Sequence, residues 1–106
     1  MGSPKYGRLI LDGKEFVTTE PDAVESESLL WSDDGSLLAV QEVDYAVSYP
    51  GTRVVVINAD LRTLVAASHS LEGLCIPLRF EDDAIVYRHW HHKRGEQELR
   101  LELSRT

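Results

Sequence analysis

The sequence predicts an all-β domain, an antiparallel meander of about nine strands. The main observation is a series of four short segments between positions 27 and 68 that are rich in Leu, Val and Ile and separated by turn residues. They are Ser28–Trp31, Ser36–Val43, Arg53–Ile57 and Leu64–Ala67. The same pattern restarts after position 74, and no stretch of the chain has a convincing helical period. We therefore expect four consecutive strands of one sheet, extended at both ends.

The length of 106 residues corresponds to one domain. A core of this size buries about 65% of the surface that the unfolded chain exposes, so folding needs no disulfide. We expect residues 1–106 to form a single all-β domain, in which residues 1–5 are disordered or a cloning remnant. The one cysteine, Cys75, lies in an apolar segment without a basic neighbour and is expected to be an inert core thiol.

Membrane insertion and secretion leave no signal in this sequence. No apolar run approaches the roughly 18 residues of a membrane helix. No basic segment followed by an apolar one marks a secretory signal. The expected compartment is the cytoplasm, although a signal peptide that had been removed would leave no trace.

Residues 6–19 are predicted to form a hairpin around Asp12-Gly13, a dipeptide that strongly favours a two-residue type I′ turn. The predicted pairs are Leu11 with Lys14, Ile10 with Glu15 and Leu9 with Phe16. The next segment, residues 19–26, is acidic, contains Pro21 and has few large apolar residues. We expect it to be a connecting loop.

The central strands are predicted to lie inside the sheet. The segment from Ser36 begins apolar on both faces, and Arg53–Ile57 is almost continuously β-branched, as in strands that are covered on both sides. Between the first two strands, Ser32-Asp33-Asp34-Gly35 predicts a turn in which short polar side chains bond to their own backbone.

The last third of the chain predicts three more strands. Leu74–Phe80 contains Pro77, which confines a strand to a sheet edge or a bulge. Two further runs, Ala84–His92 and Glu96–Leu103, flank Lys93-Arg94-Gly95, a three-residue hairpin loop with its glycine in the left-handed conformation. The predicted pairs are His91 with Gln97, His89 with Leu99 and Tyr87 with Leu101.

The segment Trp31–Val40 followed by Arg53–Leu61 resembles one blade of a β-propeller of the WD-repeat kind, in which an inner strand ends in an aromatic-Ser-x-Asp-Gly turn. The motif Phe80–Asp83 is similar to Trp31–Asp34 at an offset of 49 residues, near a blade repeat of about 40–50. The resemblance implies propeller-blade-like sheets. A closed propeller needs about 4–8 blades, so this chain is too short to close. Its sheets must pack face to face, curl, or meet a second chain, and an open edge is then available for binding.

The net charge of −7 is concentrated in one half of the chain. Residues 15–52 contain nine acids and no Lys or Arg, whereas residues 53–106 contain eight acids and eight bases. The nine are Glu15, Glu20, Asp22, Glu25, Glu27, Asp33, Asp34, Glu42 and Asp44. A field of one sign attracts partners of the other, so a basic protein suits this segment and nucleic acid does not. The alternative is a solvated face that only gives solubility.

The longest predicted loop among the four central strands, residues 44–51, carries aromatic side chains beside the acidic segment. Tyrosines are enriched in binding hot spots, where polar and charged groups form the rim. The alternative is a loop that folds back and buries them. The predicted partner-binding residues are Glu25, Glu27, Asp44, Tyr45 and Tyr49.

Residues 89–92, His-Trp-His-His, are the cluster with metal-ligand chemistry. His89 and His91 share a strand face, so their imidazoles could bind zinc together with a carboxylate such as Glu81 or Glu98. The preferred register places Glu98 on the opposite face, beside Trp90. We therefore expect no metal and no cofactor, and cross-strand ion pairs instead.

No phosphate-binding glycine loop and no nucleophile motif occurs, so no enzyme is expected. The charge asymmetry and the aromatic loop favour a non-enzymatic protein-binding module, a stoichiometric inhibitor of the immunity-protein type. Its partner would be a basic or cleft-bearing toxin or enzyme. Two alternatives stay open: a self-assembling β module, such as a homodimer, whose edge strands pair between chains, and a metal-binding protein that uses His89 and His91.

Overall fold

The computed structural model describes residues 6–7, 9–11, 14–16, 24–25, 28–44 and 51–103. These residues form twelve strands in three antiparallel sheets. The strands are β1 Tyr6–Gly7, β2 Leu9–Leu11, β3 Lys14–Phe16, β4 Val24–Glu25, β5 Leu30–Trp31, β6 Leu37–Asp44, β7 Gly51–Asn58, β8 Thr63–Ala67, β9 Leu71–Glu72, β10 Leu74–Glu81, β11 Ala84–His91 and β12 Gly95–Glu102. The predicted all-β class is confirmed. No helix in the described part of the chain is long and apolar enough to cross a membrane.

The central sheet has seven strands, with the path β1-β4-β6-β7-β8. β5 pairs with β6 beside β4, and β9 pairs with β7 beside β8. The predicted order of four consecutive strands, β5 to β8, is confirmed. The prediction of a loop over residues 19–26 is wrong at one point, because Val24 is buried and pairs with Glu42 in the sheet. One β-branched residue among acids is too weak a pattern to predict a strand of two residues.

β6 and β7 lie inside this sheet because both of their faces are apolar. One face, which includes Val54 and Val56, packs against the three-stranded sheet β10-β11-β12. The shared core contains Leu37, Ala39, Val54, Val56, Cys75, Ile85, Tyr87 and Leu103. The opposite face, with Val40 and Val55, packs with Leu9 of β2. The central sheet is therefore covered on both sides, as predicted for its interior strands.

The N-terminal hairpin has the predicted register. β2 and β3 form a two-stranded sheet in which Leu9, Ile10 and Leu11 pair with Phe16, Glu15 and Lys14. Leu9 is buried and Ile10 is exposed, the alternation expected for a strand with one covered face.

The three-stranded sheet confirms one prediction and corrects another. β10 is an edge strand whose register shifts between Pro77 and Arg79, because proline cannot donate to the ladder. In the β11–β12 hairpin, His91 pairs with Gly95, two residues before the predicted partner, since Gly95 with its φ of 79° already belongs to the strand. The observed partner of His89 is Gln97, and that of Tyr87 is Leu99. A shift of two residues changes every partner but leaves every side chain on its predicted face.

The buried groups opposite β7 predict that the fold weakens at alkaline pH. Burial raises the pKa of the Cys75 thiol and of the Tyr87 hydroxyl. The folded chain therefore holds both protons more tightly than the unfolded chain does. This stabilisation is complete below the unfolded pKa values and is lost as the pH rises through the folded ones.

The free energy of unfolding is therefore expected to fall above about pH 9, where thiols and phenols ionise. Urea denaturation between about pH 7 and pH 10.5 measures this fall. The variants Cys75→Ala and Tyr87→Phe should each flatten the curve, because they remove one titrating group. A slope that neither variant changes would contradict the assignment.

Candidate functional site

The candidate site lies where β6 ends at Asp44 and β7 begins at Gly51, its cross-strand partner. Gly51 also pairs with Glu72 of β9 on its other side. Asp44, Gly51 and Glu72 thus form a row across three strands. Two strand spacings, about 10 Å, separate the outer two. Gly51 has no side chain and is buried, so the side chains that this row presents are the two carboxylates of Asp44 and Glu72.

Asp44 is tied to the segment that leads into β9. The hydroxyl of Ser70 donates a hydrogen bond of 2.5 Å to Asp44 Oδ2. Two residues earlier, Ser68 Oγ accepts from the backbone N–H of Val54 at 2.9 Å. These bonds hold the connection between β8 and β9 against β6 and β7.

Glu72 is held by two histidines of β11. Nε2 of His89 donates to the Glu72 carbonyl oxygen at 2.7 Å, and Nε2 of His91 lies 3.3 Å from Glu72 Oε2. Nδ1 of His91 accepts from the backbone N–H of Lys93 at 3.1 Å. The His91 proton must therefore lie on Nε2, which faces the carboxylate. Both rings are buried, whereas the Glu72 side chain is 50% exposed, so the histidines hold β9 against β11.

The candidate zinc ligands lie on two different faces, as the preferred register predicted for Glu98. His89 and His91 do share a face, but Glu81 and Glu98 lie on the other face, in ion pairs with Arg79. The carboxylate next to the histidines is Glu72, which β9 carries there. Within the described ranges, no three His, Cys, Asp or Glu side chains are placed to hold a metal ion.

Glu42 does not belong to an exposed acidic face, contrary to its place in the acidic segment. It is 0% exposed, and its Oε1 accepts two hydrogen bonds from Arg53, at 2.9 Å from Nε and 2.7 Å from Nη2. Glu42 and Arg53 are direct cross-strand partners in β6 and β7. The sequence reasoning did not use the β6–β7 register, which places Arg53, the first base after the acidic segment, opposite Glu42.

One of the two turn acids, Asp34, has the role predicted for it. Asp34 Oδ1 accepts from the backbone N–H of Ser36 at 2.9 Å and from the hydroxyls of Ser36 and Ser32 at 2.7 and 2.8 Å. These bonds close the turn between β5 and β6. Asp34 is therefore a turn former, and Asp33 lies beside it in the turn with an exposed side chain.

The predicted partner-binding residues are only partly described. Asp44 lies opposite Gly51 in the row described above, and Glu25 lies in β4 opposite Tyr6 of β1. Glu27, Tyr45 and Tyr49 lie outside the described residues, so their contribution stays a prediction. Glu72 is the residue that the sequence reasoning missed here. Its one signal was Gly73, which separates it from the apolar strand that follows.

A second surface lies at the opposite end of the central sheet. Trp31, Leu38, Ile57 and Leu64 form a row across β5 to β8, in which the two outer side chains are 48% and 53% exposed. Leu61, in the turn before β8, is 71% exposed. The sequence treated Trp31 as part of a turn motif and did not predict this apolar surface.

Known proteins give no guide to this chain: no family model matches it, and no curated protein or solved structure is significantly similar to it.

Proposed function

We propose that the protein is a non-enzymatic protein-binding module, a stoichiometric inhibitor of the immunity type that blocks a basic or cleft-bearing toxin or enzyme. The observation that carries the proposal is the pair of carboxylates, Asp44 and Glu72, on either side of Gly51. They lie where the predicted aromatic loop leaves the sheet. In this proposal a basic surface of the partner contacts both carboxylates.

The local charge supports a basic partner. Arg53, the nearest base along β7, is engaged with the buried Glu42, so the charges of this pair offset each other. Asp44 and Glu72 then keep their charges in this row, and the β11–β12 turn, which reaches Glu72 through His91, carries the bases Lys93 and Arg94. Acidic surfaces steer basic partners and raise the association rate at low salt. The binding is therefore expected to weaken as the ionic strength rises.

The hydrogen bonds around the carboxylates support binding by a fixed surface. Ser70 holds Asp44, and His89 holds the backbone of Glu72. Groups that are already ordered lose little conformational entropy when a partner binds. In this proposal, Tyr45 and Tyr49 supply the buried contact area and the carboxylates orient the partner.

The candidate nucleophiles support a binding role over a catalytic one. The Ser70 hydroxyl donates to a carboxylate, whereas an activated serine is hydrogen-bonded to a base such as histidine. The Cys75 thiol is buried, and burial raises its pKa, which disfavours the reactive thiolate. His91 is engaged on both ring nitrogens.

The first test is a pull-down from lysate of the source organism with this chain as bait, washed at low and at high salt. The expected result is one basic protein that titrates the bait at a one-to-one ratio in calorimetry and loses its activity. Recovery of only the bait, or of many proteins that wash off together, would contradict the inhibitor function.

Variants at this site are expected to weaken that complex without unfolding the chain. Tyr45→Ala and Tyr49→Ala should each lower the affinity about tenfold or more, the usual effect at a hot spot. Asp44→Asn and Glu72→Gln should mainly slow association. Asp60→Asn, in the turn at the opposite end of the sheet, is the matched control. If all five variants bind equally well, this end of the sheet is not the binding site.

A further inference from the structure

The last strand, β12, presents a long and regular open edge. It spans eight residues, Gly95–Glu102, and pairs with β11 without a break in register. Among the described residues it has no neighbour on its other side. Backbone N–H and C=O groups along such an edge are a template for another strand.

The comparable edges carry backbone features that oppose strand addition, and β12 does not. β10 contains Pro77 and a register shift. β8 has five residues and an extra one, Val65, opposite the step from Val56 to Ile57. Prolines, bulges and short length are the usual protection of a sheet edge. The protection that β12 does carry is its charged side chains, whose pattern decides whether another strand can pair with it.

The charges of β12 are complementary to those of a second copy in one antiparallel register. Its side chains on the outer face of the sheet are Glu96, Glu98, Arg100 and Glu102, and Arg94 precedes them in the turn. If two copies pair about Glu98, each Glu96 meets Arg100 of the second copy, and each Arg94 meets Glu102 of the second copy. Both contacts occur twice because the arrangement is symmetric.

The neighbouring registers that keep the same faces together are less favourable. Pairing about Gln97 places Glu96 opposite Glu98, and pairing about Arg100 places Glu98 opposite Glu102. Pairing about Leu99 joins Glu98 to Arg100 but also Glu96 to Glu102. The register about Glu98 has one like-charge contact, Glu98 with its own counterpart. In each copy, the Glu98 carboxylate lies 3.4 Å from Arg79 of its own chain.

We propose that two copies of this chain associate through β12, antiparallel and centred on Glu98, as a twofold dimer. The sheet β10-β11-β12 then continues into the same sheet of the second copy. Every unpaired backbone group of the paired edges gains a partner. Leu99, which is half-buried on the inner face, gains cover from Gln97 of the second copy.

Charge reversal tests this register. Sedimentation over a concentration series is expected to give a dimer for the natural chain. Glu96→Arg and Arg100→Glu should each raise the dimer dissociation constant at least tenfold, because like charges then meet twice. The double variant Glu96→Arg/Arg100→Glu should restore it. Asp60→Lys, in the turn after β7, is the control.

Circular dichroism and the melting temperature verify that each variant folds. The ion pairs that Arg100 makes within its own chain are exposed and contribute little to stability. A monomer at every concentration overturns the proposal. A dimer that both single variants leave unchanged, or that the double variant fails to restore, also overturns it.

A cross-link provides a readout that does not depend on charge. Glu98→Cys would lie opposite its own counterpart, within the roughly 5.5 Å between Cα atoms that a disulfide spans. Oxidised glutathione, which accepts the two electrons, should therefore convert this variant to a covalent dimer. Glu96→Cys would lie about 14 Å from its counterpart and should stay monomeric in denaturing electrophoresis. Equal cross-linking of both variants, or of neither, would contradict the register.

Discussion

Arg53→Ala is expected to lower the free energy of unfolding by about 3–5 kcal/mol, the usual cost of removing one partner of a buried ion pair. The substitution removes the guanidinium that donates two hydrogen bonds to Glu42 Oε1. Glu42 is fully buried, so water cannot replace them. Urea denaturation at pH 7 measures the loss, and an unchanged slope against urea would show that the native state is otherwise intact.

Arg79→Ala is the matched control for this loss. The Arg79 side chain is 49% exposed and forms ion pairs with Glu81 and Glu98 on the outer face of the other sheet. Exposed ion pairs contribute about 0–1 kcal/mol, so the control should lose no more than that. If Arg53→Ala costs no more than Arg79→Ala, then Glu42 is not held by Arg53 in solution.

Replacing both Glu42 and Arg53 distinguishes the loss of the ion pair from the loss of buried side-chain volume. The variant Glu42→Leu/Arg53→Met fills the same space without charge, and such replacements are often neutral or stabilising. The double variant should therefore be more stable than Arg53→Ala. A double variant that is as unstable as the single one would mean that shape at this position matters more than charge.

The parts of the fold that follow from local pattern could be predicted from the sequence. Asp12-Gly13 fixed the register of the β2–β3 hairpin, because a two-residue turn leaves one way to pair the strands. Pro77 predicted both the edge position of β10 and its irregular register. Apolar residues on both faces identified β6 and β7 as interior strands.

The parts that depend on distant partners could not be predicted. β4 and β9 have two residues each, and only their pairing with β6 and β7 makes them strands. The predicted β11–β12 register was wrong by two residues because Gly95 suits both a loop and the start of a strand. The positive φ of Gly95 was predicted correctly, but it fits both the loop and the strand and so did not decide the register.

In the candidate site, too, the residue with a local signal was predicted and the residue that depends on a distant partner was not. Asp44 was identified because it borders a long loop of acidic and aromatic residues. Glu72 was missed because 19 residues separate it from His91, and only β9 brings the two together. The histidines were recognised as a cluster, but sequence spacing suggested carboxylates from their own sheet. The resemblance to propeller blades stays a prediction.

Gly73→Ala is expected to be the most damaging substitution near the candidate site, at a cost of about 4 kcal/mol. Gly73 has a φ of 105°, and a side chain there costs about 1–3 kcal/mol in backbone strain. The added methyl would also overlap the carbonyl oxygen of Trp90, a backbone atom of β11 that cannot turn aside. Overpacking of this kind adds about 1–3 kcal/mol.

Gly35→Ala distinguishes the overlap from the strain. Gly35 also has a positive φ, 75°, but a methyl group there would meet nothing within 4 Å. Its cost should be about 1–2 kcal/mol, the conformational penalty alone.

Gly73 precedes Leu74 of β10, and its carbonyl accepts a hydrogen bond of 2.9 Å from Thr52. A shift of this backbone would therefore also move Glu72 away from His89 and His91. Chemical shifts of both imidazoles should change in Gly73→Ala and stay fixed in Gly35→Ala. Equal costs and unchanged shifts in both variants would mean that β9 is not held against β11.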